Sequence, residues 1–432
     1  MAERWVIVEA LKGGASATGA LVDVEIHGFS SQGAGVGRLE DGRTVFVPRT
    51  VPGERVRVRL GRVKARWAEA SLVEILSPSP DRRPALCERY DECGGCQLQH
   101  LPESVQREWK GRIVMEALDR IGGLGRRDAP EVVASPKSTQ YRNRVSFTLR
   151  RVRGGRVIAG FHALDRPAHV IEIKGECVLP EEPIDRAWKA LRRAWGPGAR
   201  ALPAGGRLRL TLRNEPAGVS LVVSGGAKGW RPESLLEAVP QLSGVVHRPD
   251  AAEATTAEGE GGQDAVSLGF EQVNTEAAAL LRAYVLDESG EPSQVVDAYG
   301  GTGAYGRPLA ERGASVIGIE LDPDASAEAR RDAPASFAMR TGPVEELLPE
   351  ALPAELLILN PPRTGVGSEV CDVVLASPPE RIVYVSCDPA TLARDLSRLT
   401  ERFEISAMKC FDLFPQTAHV ETVVTMNLRR DD

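Results

Sequence analysis

The chain has 432 residues, of which 42% are hydrophobic and 26% charged, and its formal net charge is −6. This composition excludes a disordered or fibrous chain and predicts a globular protein of about three domains. No apolar run approaches a membrane span, and the start MAERWVIVEALKGG lacks the pattern of a signal peptide. We therefore expect a cytoplasmic monomer with no membrane partner, whose seven cysteines lie in a reducing compartment.

The charge is distributed unevenly along the chain. Residues 1–213 hold 37 Lys or Arg against 25 Asp or Glu, a net of +12, and the rest holds 17 against 35, a net of −18. A basic front half is suited to nucleic-acid phosphates, although charged runs are also ordinary solvated surface.

The first predicted domain is a small all-β barrel at residues 18–78, preceded by a tail at residues 1–17. Its segments VDVEIHG and ERVRVRLGRVK alternate apolar and polar positions between glycine turns, which is the period of a half-buried strand. Its basic side chains suit phosphate binding or are a solvated strand face. They are Arg55, Arg57, Arg59, Arg62, Lys64 and Arg66.

Four cysteines mark the next region. Cys87, Cys93 and Cys96 follow the spacing C-x5-C-x2-C, and Cys177 lies far along the chain. Four thiols are able to hold zinc or an iron–sulfur cluster, and the spacing does not decide between them. Disulfides or free core thiols are the less favoured alternative, because nothing in the sequence indicates secretion.

The same region contains a predicted helix at residues 103–121 and a basic strand-like segment, QYRNRVSFTLRRVRGG. Tyr141 and Phe147 stand among its arginines, an arrangement suited to stacking unpaired bases or to packing within a β-sheet. Residues 250–265 are polar, acidic and rich in glycine, which predicts a surface loop without chemistry.

Strands and helices alternate from about residue 270. In SQVVDAYGGTGAYGRPLA an apolar strand ends at Asp297 and a glycine-rich turn follows, and the next strand ends at Glu320, where a doubly wound sheet meets a ribose. The glycines alone also fit a nicotinamide-dependent oxidoreductase. The added Asn360-Pro361-Pro362 after an apolar run favours S-adenosylmethionine as the cofactor.

Two reactive side chains are predicted near the C-terminus. Cys387 follows an apolar strand and precedes a helix whose start is marked by Asp388 and Pro389, so the helix dipole favours its thiolate. Glu421 lies inside an apolar strand with His419 on the same face, as a base or as half of a buried ion pair. The alternative for Cys387, and our interpretation of Cys371 and Cys410, is an inert core thiol.

Together these motifs resemble the RNA uracil-C5 methyltransferase family, and most of all its iron–sulfur branch that acts on 23S ribosomal RNA. The resemblance covers nearly the whole chain, through FEQVN, DAYGGTG, NPPRTG, VSCDPATLARD and FPQTAHVE. It implies a Rossmann-like class I S-adenosylmethionine domain at residues 270–432, an OB-like TRAM barrel at 18–78, and a β-rich central domain at 79–269 with a four-iron four-sulfur cluster.

The resemblance also implies residue roles. Cys387 is the thiolate that adds to C6 of a uridine, and Glu421 is the base that removes the C5 proton. The cofactor-side positions are Gln272, Tyr299, Gly301, Gly303, Glu320 and Asn360. The cluster ligands are Cys87, Cys93, Cys96 and Cys177.

One departure from the family keeps alternatives open, because Asn360 stands where the family usually has Asp. A catalytically weak protein that binds RNA or assists ribosome assembly is one alternative. A methyltransferase that acts on tRNA is another.

Overall fold

The computed structural model describes residues 18–125, 128–250, 255–258 and 272–430. In these ranges the strands form a closed barrel, a seven-stranded sheet and an eight-stranded sheet, and each has its own apolar core. Across the same ranges, no helix has both the length and the apolar character needed to cross a bilayer.

The N-terminal barrel confirms the all-β prediction for residues 18–78. Its strands are β1 (Leu21–Phe29), β2 (Gly35–Arg38), β3 (Thr44–Val47), β4 (Arg55–Val63) and β5 (Trp67–Ser77), closed in the order β1-β2-β3-β5-β4. Val56, Val58 and Leu60 of β4 are at most 1% exposed, since every second side chain points into the barrel. The predicted tail, residues 1–17, lies outside the described residues.

A seven-stranded sheet forms the centre of the chain. Its strands are β7 (Arg144–Arg151), β8 (Val157–His162), β9 (Val170–Glu172), β10 (Arg207–Glu215), β11 (Gly218–Ser224), β12 (Leu242–Arg248) and β13 (Thr255–Glu258), in the order β13-β12-β11-β10-β7-β8-β9. Helices α2 (Glu182–Ala194) and α3 (Glu233–Ala238) pack on it. The loop predicted at residues 250–265 therefore contains a strand, β13, and its other residues from 251 onward lie outside the described ranges.

The prediction that Tyr141 and Phe147 stack RNA bases is wrong. Phe147 is 1% exposed and stacks on Trp188 of α2 with the ring centroids 3.9 Å apart, and Tyr141 is 2% exposed and donates its hydroxyl to the carbonyl oxygen of Pro415. Phe147 points inward because it alternates with polar neighbours, and burying such a ring contributes about 1.5–3 kcal/mol. Packing within a sheet, the alternative interpretation, is what the structure has.

The eight-stranded sheet holds the C-terminal third of the chain. Its main strands are β14 (Gln294–Ala298), β15 (Ser315–Glu320), β16 (Phe337–Thr341), β17 (Leu356–Leu359), β18 (Arg381–Ser386), β19 (Phe403–Phe411) and β20 (Glu421–Leu428). With β14 counted as the first, their order is 3-2-1-4-5-7-6. This is the doubly wound order 3-2-1-4-5-6 with one antiparallel strand, β20, inserted before the last.

Helices cover both faces of this sheet and bury its strands. They are α4 (Thr275–Ser289), α5 (Gly306–Glu311), α6 (Pro323–Arg330), α7 (Val344–Leu347), α8 (Ser368–Ala376) and α9 (Pro389–Leu399). Cys371 and Cys410 are at most 1% exposed in its two-sided core, which confirms their interpretation as core thiols. Because the parallel strands end at one edge, the residues that follow β14, β15, β17 and β18 meet there.

Two elements from the predicted central domain pack against this sheet instead. Helix α1 (Glu103–Arg120), which confirms the helix predicted at residues 103–121, contacts α9, and β6 (Val132–Val133) pairs with β19 as the edge strand. The boundaries of the central domain at residues 79 and 269 remain a prediction. In the structure, residues 103–133 contribute a helix and a strand to the layer formed by the eight-stranded sheet.

Candidate active site at the edge of the large sheet

The glycine-rich turn after β14 leaves open space beside its backbone. Gly301 and Gly303 have φ angles of +56° and +81°, a region that side chains rarely adopt. A Cβ built on Gly301 would have no heavy atom within 4 Å. The main chain is therefore open to a ligand at Gly301, whereas a Cβ on Gly303 would meet the Arg307 side chain at 2.8 Å.

Asp297 is a buried carboxyl beside this turn that the sequence reasoning treated only as the end of a strand. It is 0% exposed, and its Oδ2 accepts a hydrogen bond of 2.9 Å from the Gly306 N–H. Its Oδ1 has no partner among the described residues. Burial raises the pKa of Asp297 to about 7, against the effect of the Gly306 hydrogen bond. Its position at the end of β14, three residues before Gly300, is the signal that identifies it.

Glu320 connects the ends of two neighbouring strands. Its Oε2 accepts from the Gly301 N–H at 2.9 Å, and its Oε1 accepts from the Asp322 N–H at 2.8 Å. In this structure the carboxylate therefore orients the glycine turn with the same oxygens that were predicted to meet a ribose.

The other cofactor-side candidates divide into two groups. Tyr299, with a φ of +60°, and Asn360, whose N–H donates to the Ala298 carbonyl oxygen, lie at the same strand ends as the glycine turn. Gln272 lies two residues before the N-cap of α4, where its carbonyl oxygen accepts from Asn143. Its described hydrogen bonds are with the central sheet and not with the glycine turn.

Cys387 and Glu421 face each other across two strands. The register of β18 and β20 pairs Ser386 with Thr422, so the next step along the two antiparallel chains brings Cys387 opposite Glu421. Asp388 caps α9 by accepting from the Ala390 and Thr391 N–H groups at 2.9 and 3.1 Å. Cys387 is half-buried and Glu421 is 5% exposed.

The charge state of this pair differs from the prediction. The pKa of Cys387 is raised to about 11, first by burial and then by the Glu421 carboxylate, against the effect of Arg363. Burial likewise raises the pKa of Glu421 to about 8 against the effect of Arg363. The expectation that the helix terminus lowers the thiol pKa is wrong here, because the loss of water around the thiolate outweighs the helix dipole.

Arg363 is a further functional candidate that was not among the residues predicted from the sequence. It is exposed, and its positive charge lowers the pKa of Cys387, Glu421 and His419. Burial, assisted by Arg363, lowers the pKa of His419 to about 4, so this imidazole is neutral near pH 7. The signal for Arg363 was present in NPPRTG, where it follows Asn360 by three residues.

A buried carboxylate holds the loop that carries Arg363. Asp395 of α9 is 0% exposed, and its Oδ2 accepts from the Val366 N–H at 2.9 Å and from the Tyr384 hydroxyl at 2.8 Å. Arg394 donates to the Thr364 carbonyl oxygen at 2.9 Å. The helix that begins after Cys387 therefore also positions the Arg363 loop.

The four candidate metal-ligating cysteines lie in the central region. Cys87, Cys96 and Cys177 share one apolar cluster, and none of the four forms a disulfide. The barrel residue Arg49 donates to the carbonyl oxygens of Cys93 and Cys96, each at 2.7 Å. Within the part of the chain that the structure describes, no group of three or more His, Cys, Asp or Glu residues is arranged to hold a metal ion.

This fold and edge define a methyltransferase that uses S-adenosylmethionine. The sequence model of the tRNA (Uracil-5-)-methyltransferase family matches residues 349–429, which include Asn360, Cys387 and Glu421, and that of the TRAM domain matches residues 15–73. An uncharacterized RNA methyltransferase of Synechocystis is 34% identical over 94% of this chain and 96% of its own length. One of Thermosynechococcus vestitus is also 34% identical, over 94% and 98%.

A solved structure extends the comparison to the whole fold. The tRNA (uracil-54, C5)-methyltransferase of Pyrococcus abyssi, solved in complex with S-adenosyl-L-homocysteine, matches with a TM-score of 0.71 and 25% identity. The match covers 94% of this chain and 100% of that one. The chain belongs to the RNA uracil-C5 methyltransferase family and is an S-adenosylmethionine-dependent enzyme of that class.

Proposed function

We propose that the chain methylates C5 of a uridine in RNA through a covalent bond between Cys387 and C6 of the base. The observation that carries this proposal is the placement of a thiol and a carboxyl opposite each other at the strand ends, beside the open glycine turn. C5 of uracil is a weak nucleophile, so an enzyme must first increase its electron density.

The proposed reaction assigns the nucleophile and the base to groups of this chain. The Cys387 thiolate forms the bond to C6, and the electron pair of the C5–C6 double bond moves toward O4 as an enolate, which makes C5 the nucleophile. With S-adenosylmethionine bound, C5 would take its methyl group as the carbon–sulfur bond breaks and S-adenosyl-L-homocysteine leaves. The Glu421 carboxylate then takes the C5 proton, the C5–C6 double bond re-forms, and the thiolate leaves. Arg363, whose cation stabilises negative charge on both groups, assists formation of the thiolate.

S-adenosylmethionine supplies the methyl group when bound, and the residues at the turn fit it. Gly301 leaves space at the main chain, and Asp297 Oδ1 is a buried acceptor without a described partner, which is costly unless a ligand uses it. We assign the cofactor to these two residues together with Gln272, Tyr299, Gly303, Glu320 and Asn360.

We retain the proposal that Cys87, Cys93, Cys96 and Cys177 hold a four-iron four-sulfur cluster with a structural role. Its support is the shared apolar environment of the thiols and the cation of Arg142, which acts on Cys96 and Cys177 and whose buried Nε has no described partner. A cluster also keeps its thiolates farther apart than a single ion does, so a poor fit to one ion does not conflict with it. No step of the reaction passes through this group.

The RNA substrate is proposed to be 23S ribosomal RNA, with tRNA as the second candidate. The four cysteines favour the ribosomal branch by resemblance. The barrel does not discriminate between the two, because the match to the tRNA (uracil-54, C5)-methyltransferase leaves only 6% of this chain uncovered. We place the reaction in the cytoplasm, where these RNAs are modified.

The test is transfer of labelled methyl from S-adenosylmethionine to unmodified 23S rRNA fragments and to unmodified tRNA, with product nucleotides mapped. We expect labelled 5-methyluridine with the wild type and none with Cys387→Ala. A cofactor-binding protein that methylates neither RNA would support the non-catalytic alternative, and recovery of transfer by Asn360→Asp would then identify Asn360 as the cause.

A further inference from the structure

The central sheet has one face covered by helices and one polar face. Phe147, Leu149, Leu208 and Leu210 point to the covered side and are at most 1% exposed. Their neighbours in sequence point the opposite way, because side chains alternate along a strand. The polar face thus carries every second residue of β7 and β10.

Four arginines occupy this polar face on three of four adjacent strands, β7, β10 and β12. Arg150 of β7 pairs directly with Arg207 of β10, and Arg209 forms one row with Ser224 of β11 and Arg248 of β12. All four arginines are exposed. We call this set, Arg150, Arg207, Arg209 and Arg248, the arginine face.

Neutral groups are the only hydrogen-bond partners that the described residues supply to these side chains. Arg150 donates to the Ala168 carbonyl oxygen at 2.8 Å, and Arg209 donates to the Ser146 hydroxyl at 3.3 Å. No ion pair joins any of the four to a described carboxylate. Glu172, at the edge of the same face, is already paired with Arg192 and Lys174.

This arrangement is costly for folding alone. Like charges directly opposite each other destabilise a strand pair, and Arg150 and Arg207 are such a pair. In the barrel, by contrast, an arginine is paired with carboxylates, because Arg57 forms ion pairs with both Asp23 and Glu74. A set of cations without a carboxylate partner among the described residues fits an external polyanion.

We propose that the arginine face binds the phosphate backbone of the RNA substrate at a segment that flanks the target uridine. This inference rests on the proposed function, since it takes RNA as the substrate. Arginine is suited to the role because its guanidinium holds phosphate oxygens in a bidentate manner. The face contributes affinity and orientation, and base identity is read elsewhere.

The arginine face lies away from the proposed catalytic residues. Asn143, directly before β7, donates to Gln272 and Thr275, so this end of the strand adjoins the methyltransferase layer. Arg150 lies seven residues farther along, which is about 24 Å in an extended strand. We therefore expect a short RNA centred on Cys387 to end before it reaches Arg150.

The experiment uses the full-length protein with four substitutions, R150Q, R207Q, R209Q and R248Q. Its binding is measured against salt concentration with a short RNA stem-loop, an unmodified tRNA and a long unmodified 23S rRNA fragment. Neutralising four phosphate contacts lowers the slope of log affinity against log salt by about 3 to 4 on a long RNA. We expect at least a tenfold loss of affinity there at physiological salt, and no change on the stem-loop.

A charge-matched control carries R186Q, R193Q, R231Q and R312Q, four exposed arginines that lie outside the barrel and off the arginine face. We expect its affinity for long RNA to stay within twofold of the wild type. Thermal unfolding and S-adenosylmethionine binding confirm that both variants are folded.

Two outcomes would overturn the inference: an unchanged salt slope in the sheet variant, or an equal loss on the short and long RNAs. Methyl transfer could fail while the salt slopes of the wild type and the sheet variant still differ. That result would contradict the proposed function but not the binding of RNA by the arginine face.

Discussion

The charged groups of the barrel and those at the edge of the large sheet lie in opposite environments. On the barrel, Arg57 and Arg62 form exposed ion pairs with nearby carboxylates. At the sheet edge, Glu421 and Asp297 are buried without a described salt bridge, and burial raises the pKa of each. Charged groups that are paired on the surface need no function to explain them. Buried groups without a counter-ion are costly for folding and therefore indicate chemistry.

The largest effect is expected from Cys387→Ala, which removes the proposed nucleophile from the edge. Transfer of labelled methyl should fall by at least about 10³-fold, because the residues of one covalent mechanism act as a unit. S-adenosylmethionine affinity, measured by calorimetry, should stay unchanged. Residual transfer near the wild-type rate would exclude the covalent mechanism.

The next effect concerns Glu421→Gln, which removes the proposed base but leaves the thiol. The rate should fall by roughly 10²- to 10⁴-fold, and an RNA-linked protein should accumulate on a denaturing gel, because the adduct forms but is not released. Cys387→Ala is the matched control, since it must abolish that band.

The pH profile tests the same carboxyl. A base is active when it is deprotonated, and the pKa of Glu421 is raised to about 8, so the wild-type rate should rise steeply up to that pH. Above it the rate should rise less steeply, because only the Cys387 thiol, with its pKa raised to about 11, still titrates. The glutamine variant should keep only the dependence of the thiol. A wild-type rate that is flat between pH 6 and 8 would contradict the assignment.

A smaller effect is expected where a buried charge does have a partner. Lys110 of α1 donates to Asp412 at 2.5 Å and to the Phe414 carbonyl oxygen at 3.1 Å, and both charged side chains are at most 2% exposed. Lys110→Met leaves Asp412 unpaired, which costs about 3–5 kcal/mol of unfolding free energy. Denaturant melts would measure it. The double variant with Asp412→Leu should recover most of the loss, since no buried charge then remains.

The smallest effect is expected in the barrel. Arg57→Gln removes two exposed ion pairs, and such pairs contribute little because water already screens them. The melting temperature and the methylation rate should stay within error of the wild type. A large drop in either would show that the barrel pairs matter as much as the buried ones.

Much of the fold followed from local patterns, and the misses have physical causes. The barrel, α1, the glycine turn and the β18–Cys387–α9 segment were predicted, because periodicity, capping residues and glycines act over a few residues. Tyr141 and Phe147 were interpreted as base-stacking because the arginines beside them dominate the composition. Only the sheet shows that Phe147 faces Trp188. The pairing of β6 with β19 joins residues far apart in sequence and left no local signal.

The order of residues alone predicts the groups that we propose for chemistry: Cys387 at a helix start, Glu421 in an apolar strand, and glycines after Asp297. The three-dimensional arrangement sets their charge states, since burial raises the pKa of both Cys387 and Glu421 and the Arg363 cation opposes that rise in both. It also decided which arginines are neutralised, because cross-strand register sets Arg57 beside Asp23 but Arg150 beside Arg207. Electrostatic effects depend on the distances between charges and on their exposure to solvent, and the order of residues does not specify either quantity.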